Sequence, residues 1–268
     1  MSNDDPVRFD VDGRGVATIT LNRPSVHNAF DDEVIARLID CLEHIADQAR
    51  SPRVRAAVIR SNGKHFSAGA DLNWMKRMAE LDYDGNVRDA GELARLMRLL
   101  NTLPVPVLTI VQGAAYAGAL GLLCCSDFTL ASERAVFCVS EVRIGLTPAV
   151  ISPYVVAVIG ERAARRYFLS AEVFDATEAR RLDLVQQIVA EDDLDSAADA
   201  IVENWLRMSP QAMQVTKRLI RRVSGAPVDD ALIRFTQEEI AAIRVSDEGQ
   251  EGLSAFFEKR PPAWQEDK

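Results

Sequence analysis

Three short stretches hold the residues whose types and order could do chemistry. "SAGAD" (Ser67 to Asp71) and "YAGALG" (Tyr116 to Gly121) are nearly bare of side chains. Each follows an apolar run expected to be a strand and opens a segment expected to be a helix. Backbone N–H groups at a helix start lack intrahelical partners and receive negative charge. Two such turns from separate crossovers could aim one N–H each at a single oxygen, stabilising a carbonyl as it becomes an enolate by about 3 kcal/mol per donor. The alternative is that Gly and Ala only permit tight turns or close helix packing. The third stretch, "VFCVSEVRIGLTP", places Glu141 in apolar surroundings. Such surroundings raise a carboxyl pKa toward the range useful for proton transfer. A surface glutamate paired with Arg143 is the alternative there.

Other chemistries find less support. Gly113, Gly118 and Gly121 do not make GxGxxG, and no Lys-Ser/Thr follows as a phosphate loop requires. The three histidines, His27, His44 and His65, are scattered, and Cys41, Cys124, Cys125 and Cys138 lack the paired spacing of a zinc site. The cysteines read as reduced, buried packing residues, and no metal is expected. A formal charge of −9 over 268 residues disfavours nucleic acid. No apolar run reaches the length of a membrane span and "MSNDDPVRFD" is no secretory signal, so a cytoplasmic protein is expected.

The elements that must position these stretches follow an α/β pattern. "VRFDVD" and "VATITLN" read as strands joined by "GRG" in a hairpin. Asp31 or Asp32 can cap a helix carrying Val34, Ile35, Leu38, Ile39, Leu42 and Ile45 at helical spacing, and "VRAAVIRS" follows as a buried strand. That is a strand-helix-strand crossover. A helix through "ELARLMRLLNTL" leads to the strands "VLTIVQG", "DFTLAS" and "AVFCVS", and beyond Ile151 the chain turns mostly helical. The expected division is a core over residues 1–192 and a helical region over 193–268 that packs on the core and on neighbouring subunits.

With these segments in order, the sequence resembles the crotonase, or enoyl-CoA hydratase/isomerase, superfamily. The likeness runs from "ATITLNRPSVHNAF" through "HFSAGADL", "LPVPVLTIVQGAAYAGALGL" and "SDFTLASERAVFCVSEVRIGLTP" to "ARRLDLVQQIV" and "EGLSAFFEKRPPAW". The resemblance implies a ClpP-like spiral of β-β-α repeats with a C-terminal helical oligomerisation region, acyl-CoA thioester substrates, and homotrimers or homohexamers. It implies that the Ala70 and Gly118 N–H groups form an oxyanion hole. Val26, His27, Ala68, Asp71 and Leu72 would border the CoA moiety, with Phe256 and Lys259 meeting the CoA of a neighbouring subunit. Glu141 matches the second of the family's two catalytic glutamates, whereas Gly121 stands at the first. The turn Ala117-Gly118-Ala119 replaces a frequent run of three glycines, and its two methyls are expected to narrow the pocket.

One glutamate suits two reactions through the same enolate, water addition at C3 or proton transfer between C2 and C4. "ADLNWMKRMA" and "SEVRIGLTPAVISPYVVAVIGERAARRYFLSAEVFDATEA" resemble bacterial methylglutaconyl-CoA hydratases of leucine breakdown and the related carboxygeranoyl-CoA and isohexenylglutaconyl-CoA hydratases of terpene use. That likeness implies a hydro-lyase for a branched enoyl-CoA, with a carboxylated acyl chain in its range and no cofactor beyond the CoA of the substrate. A Δ3,Δ2-enoyl-CoA isomerase is the first alternative. A CoA-ligand or RNA-binding member with little catalysis is the second. Arg143, Lys76 and Arg77 are cations near these segments in sequence, each readable as a solvated charge.

Overall fold

The structure is a computed structural model describing residues 5–49 and 53–265. β1 (Val7–Val11) and β2 (Val16–Leu21) form the expected antiparallel hairpin, pairing Val7 with Leu21 and Val11 with Ala17. α1 (Asp32–Gln48) starts at Asp31, whose carboxylate accepts the Val34 N–H at 2.9 Å. Its apolar stripe faces the core and delivers the chain to β3 (Ala56–Ser61), parallel to β2. α2 (Leu72–Ala79) and α3 (Tyr83–Asn101) come next.

From there each turn of the spiral contributes one strand to each of two sheets. β4 (Val107–Val111) leads to β5 (Ala114–Tyr116) and α4 (Gly118–Cys125). β6 (Phe128–Ser132) leads to β7 (Val136–Cys138), a 3-10 turn at Glu141–Ile144 and α5 (Ser152–Ser170). β8 (Phe174–Asp175), α6 (Ala176–Arg181) and β9 (Gln187–Val189) close the spiral. The larger sheet has the order β1-β2-β3-β4-β6-β9 and the smaller one β5-β7-β8.

The larger sheet is buried on both faces, which explains why its strands read as apolar runs rather than alternations. Ala17, Ile19, Ala57, Ile59, Val107 and Val111 belong to the core that includes buried residues of α1, α3, α4 and α5. Val16, Val58, Leu108, Ile110 and Leu130 face the other way, onto Leu194, Ala198, Val202 and Leu206 of α7 (Leu194–Leu206).

α8 (Pro210–Val223), α9 (Asp230–Arg244) and α10 (Asp247–Glu258) pack on one another and keep few buried residues. Lys217 pins α8 to the core, donating to the Val105 carbonyl at 2.6 Å and to Asp127 at 2.5 Å. Ile220, Ile233, Ile240 and Leu253 stay exposed on these helices. Among the described residues no helix is long and apolar enough to cross a membrane.

Candidate active site

Register brings the three chemical stretches together. Ser67 bridges Ala115 in parallel, and Ala115 pairs with Phe137 in parallel across β5 and β7. Three chain segments therefore run side by side in one direction. Three residues beyond Ser67 comes Ala70, three beyond Ala115 comes Gly118, and four beyond Phe137 comes Glu141. All three lie at the carboxyl ends of parallel strands, the edge at which α/β folds gather their ligands.

Each N–H is left free for a different reason. Phe30 pairs in parallel with Ala70: it donates to the Gly69 carbonyl at 2.7 Å and accepts the Asp71 N–H at 2.7 Å. Those two bonds flank Ala70 and turn its own N–H away from the ladder. Its donor is thus freed by bridge geometry and not, as the sequence suggested, by a helix start, since α2 begins two residues later with Asp71 as its cap. Gly118 does open α4, so its N–H has no intrahelical acceptor. Neither N–H has a hydrogen-bond partner among the described residues.

The two turns touch. A Cβ on Gly69 would stand 3.0 Å from the Ala117 methyl and 3.2 Å from the Tyr116 carbonyl oxygen, and Gly69 has φ +92°. A Cβ on Gly118 would lie 3.7 Å from the ring of Phe30, the residue that bridges Ala70. The expected narrowing by methyls takes a different form. Ala119 is fully buried behind the turn, and the Ala117 methyl packs toward Gly69, with φ 51° and ψ −123° that favour glycine.

Glu141 opens the 3-10 turn after β7. Its Oε2 is buried and has no hydrogen-bond partner among the described residues. Burial pushes its pKa above the ordinary glutamate value, against the opposing pull of the Glu141 and Ser140 backbone N–H groups. Pairing with Arg143 is absent: that guanidinium donates to the Ala171 carbonyl, which also accepts from Cys138 Sγ. A carboxyl whose pKa is raised by burial, in the same edge as two unused donors, can carry a proton to or from a carbon next to a polarised carbonyl.

The family described as Enoyl-CoA hydratase/isomerase matches residues 12–267. The chain belongs to the enoyl-CoA hydratase/isomerase family. Its structure superposes on that of an enoyl-CoA hydratase from Shewanella pealeana with TM-score 0.92 at 50% identity, covering 97% of this chain and 96% of the other. AtuE of Pseudomonas aeruginosa gives TM-score 0.92 at 32% identity over 97% and 100%. The 2,3-dehydroadipyl-CoA hydratase of Escherichia coli is 29% identical over 92% of this chain and 94% of its own. This family member is an enzyme, of the hydro-lyase type for which these relatives are named.

In this hydratase/isomerase Gly121, the position that the resemblance matches to the family's first glutamate, has no room for a side chain. Gly121 is buried in α4, and a Cβ there would meet Ile151 Cγ2 at 2.6 Å and Met97 Sδ at 2.7 Å. Four of the remaining expected residues, Val26, His27, Ala68 and Leu72, lie around Ala70. The His27 carbonyl accepts the Ala68 N–H at 2.9 Å, Val26 is exposed beside His27, and Leu72 is 75% exposed. Asp71 is only 7% exposed. Its carboxylate accepts the Asn73 and Trp74 N–H groups and a bond from Arg23 at 3.0 Å. Phe256, 77% exposed, and Lys259 lie at the end of α10, which packs on α8 and α9.

Two residues that brace this region escaped the sequence reading. Arg23 reaches the Ala29 carbonyl at 2.9 Å, Asp31 at 2.8 Å and Asp71, tying the loop before α1 to the cap of α2. Asn28, buried at φ 53°, donates to the carbonyls of Asn62 and His65. Their signal lay in "NRPSVHNAF", where a charged and an amide side chain flank the turn.

Proposed function

We propose that this enzyme adds water across the 2,3-double bond of a branched enoyl-CoA, with carboxylated acyl chains such as 3-methylglutaconyl-CoA in its range. The observation that carries the reading is the common edge of three parallel segments, with free N–H groups at Ala70 and Gly118 and the half-satisfied carboxyl of Glu141. In this reading the two N–H groups polarise the thioester carbonyl, each stabilising the developing enolate by about 3 kcal/mol. Glu141 takes a proton from water as the oxygen bonds to C3, and a proton is returned to C2. Relatives named as hydratases support the direction, and the dicarboxylic acyl group in the name of the Escherichia coli relative supports a carboxylated substrate. Of the three nearby cations, Arg77 is engaged by Asp32 and Arg143 by Ala171, leaving Lys76, exposed on α2, for a substrate carboxylate.

The packed position at Gly121 favours a second reading, a Δ3,Δ2-enoyl-CoA isomerase in which Glu141 alone shuttles the proton. The exposed apolar residues of α8 to α10, with Phe256 and Phe257, support a homotrimer or homohexamer in which Phe256 and Lys259 reach a neighbour's CoA. A monomer by sizing with light scattering would contradict that assembly.

The deciding experiment incubates the protein with 3-methylglutaconyl-CoA and crotonyl-CoA beside Glu141→Gln and reads mass and absorbance. A water-sized mass gain that disappears in the variant supports the hydratase. Double-bond migration of a 3-enoyl-CoA without mass gain hands the reaction to the isomerase. Unchanged turnover in Glu141→Gln removes Glu141 from the chemistry, because a proton carrier of this kind contributes about 10²–10⁴-fold.

A further inference from the structure

The segment carrying Ala70 and the strand leading to Gly118 are laced by main-chain bonds. Phe66 donates to the Gln112 carbonyl at 2.8 Å, Ser67 to the Ala114 carbonyl at 3.0 Å, and Tyr116 to the Ser67 carbonyl at 3.0 Å. A regular parallel ladder would add one more rung, from the Ala114 N–H to the His65 carbonyl. That rung is replaced by a side chain. The Ala114 N–H donates to His65 Nδ1 at 3.1 Å. The His65 carbonyl accepts instead from Asn28 Nδ2 at 2.9 Å and Ser61 Oγ at 3.2 Å. Gly113, at φ +60°, leaves room for this: a Cβ there would stand 2.7 Å from His65 Nδ1 and 2.2 Å from the Lys64 carbonyl oxygen.

His65 therefore joins three segments. Its own carries Ala68 and Ala70, its ring holds the start of β5 four residues before Gly118, and its carbonyl holds Asn28 of the loop before α1. The His27 ring, on that loop, meets the His65 ring edge-on at 5.1 Å. We propose that His65 is a positioning residue that sets the separation of the Ala70 and Gly118 donors, acting through its Nδ1 acceptor. This rests on the reading of those two N–H groups as the thioester-oxygen site. An imidazole accepts at Nδ1 only when neutral, with its proton on Nε2. The groups around it favour that form, since burial, His27 and Lys64 all hold its pKa below the ordinary histidine value.

The test pairs His65→Asn, whose Oδ1 can accept the same N–H, with His65→Leu, which keeps bulk and loses the acceptor. The probe is a donor-substituted cinnamoyl thioester of CoA, whose absorbance band moves to longer wavelength as its carbonyl is polarised. The expected result is a red shift in the parent protein, largely kept in His65→Asn and lost in His65→Leu. kcat should fall about 10–100-fold in His65→Leu, as for a small misplacement of catalytic groups, while probe affinity changes less than about threefold. A full red shift and full kcat in His65→Leu overturn the proposal, and so does His65→Asn behaving as His65→Leu. No red shift in the parent protein refutes the donor reading itself, and the proposal falls with it. Nitrogen-15 NMR of the three histidines in the parent protein gives a check independent of how the variants fold. It should show His65 with Nδ1 unprotonated at neutral pH, and a protonated Nδ1 overturns the proposal.

Discussion

Gly121→Ala puts the single-carboxylate architecture to a quantitative test. The added methyl meets Ile151 Cγ2 at 2.6 Å, Met97 Sδ at 2.7 Å and Met97 Cε at 3.0 Å, all buried. Overpacking of this kind costs about 1–3 kcal/mol. Against it stands the helix preference for alanine over glycine, about 1 kcal/mol inside α4. Because two contacts fall well inside van der Waals distance and Ile151 is branched at Cβ, the cost should prevail by about 1–2 kcal/mol. In a chain of this size that lowers the melting temperature by about 2–8 °C. Met97→Ala alone should cost about 2–5 kcal/mol through its cavity. The double variant should then be more stable than the sum of the two by about 1 kcal/mol, since one clash is gone and the Ile151 contact remains. Denaturant titrations of the four proteins give the cycle, and kcat of Gly121→Ala should stay within a few-fold of the parent. Gly121→Ala more stable than the parent, or Gly121→Glu with raised kcat, would show that the position is open to a second carboxylate and would refute the reasoning.

Three more outcomes follow from the same geometry. Glu141→Gln should melt at a higher temperature than the parent near neutral pH: the folded pKa is raised, so the charged carboxylate destabilises the fold above that pKa, and the gain should vanish as pH falls below 4.5, the unfolded value. Ala117→Gly should relieve a backbone conformation that costs a non-glycine residue about 1–3 kcal/mol, offset by about 0.4–1 kcal/mol of unfolded-chain entropy, and a calorimetric melt should rise. Lys217→Met should cost about 1–3 kcal/mol, mainly by leaving the Val105 carbonyl without its donor, since Asp127 is partly exposed and keeps the Val107 N–H; the readout is a lower denaturation midpoint.

Much of the fold is local chemistry and was legible in the chain. The β1–β2 hairpin, the Asp31 cap, the stripe of α1 and the double-faced apolar strands follow from alternation, helical spacing and turn residues, which act over a few neighbours. The two bare turns and Glu141 could be singled out for the same reason, because small residues and an isolated carboxyl stand out from their surroundings. The reason Ala70 has a free N–H could not be read there, since it depends on Phe30, forty residues away, pairing on either side of it. The fate of Arg143 was hidden likewise: a cation two residues from Glu141 turns to Ala171 because the end of α5 offers a carbonyl. Residue types and local periodicity thus determined which groups are available and which elements carry them. Only the tertiary structure decided which of those groups are paired, because a hydrogen-bond partner distant in sequence is chosen by strand register, and register is a property of the assembled sheet.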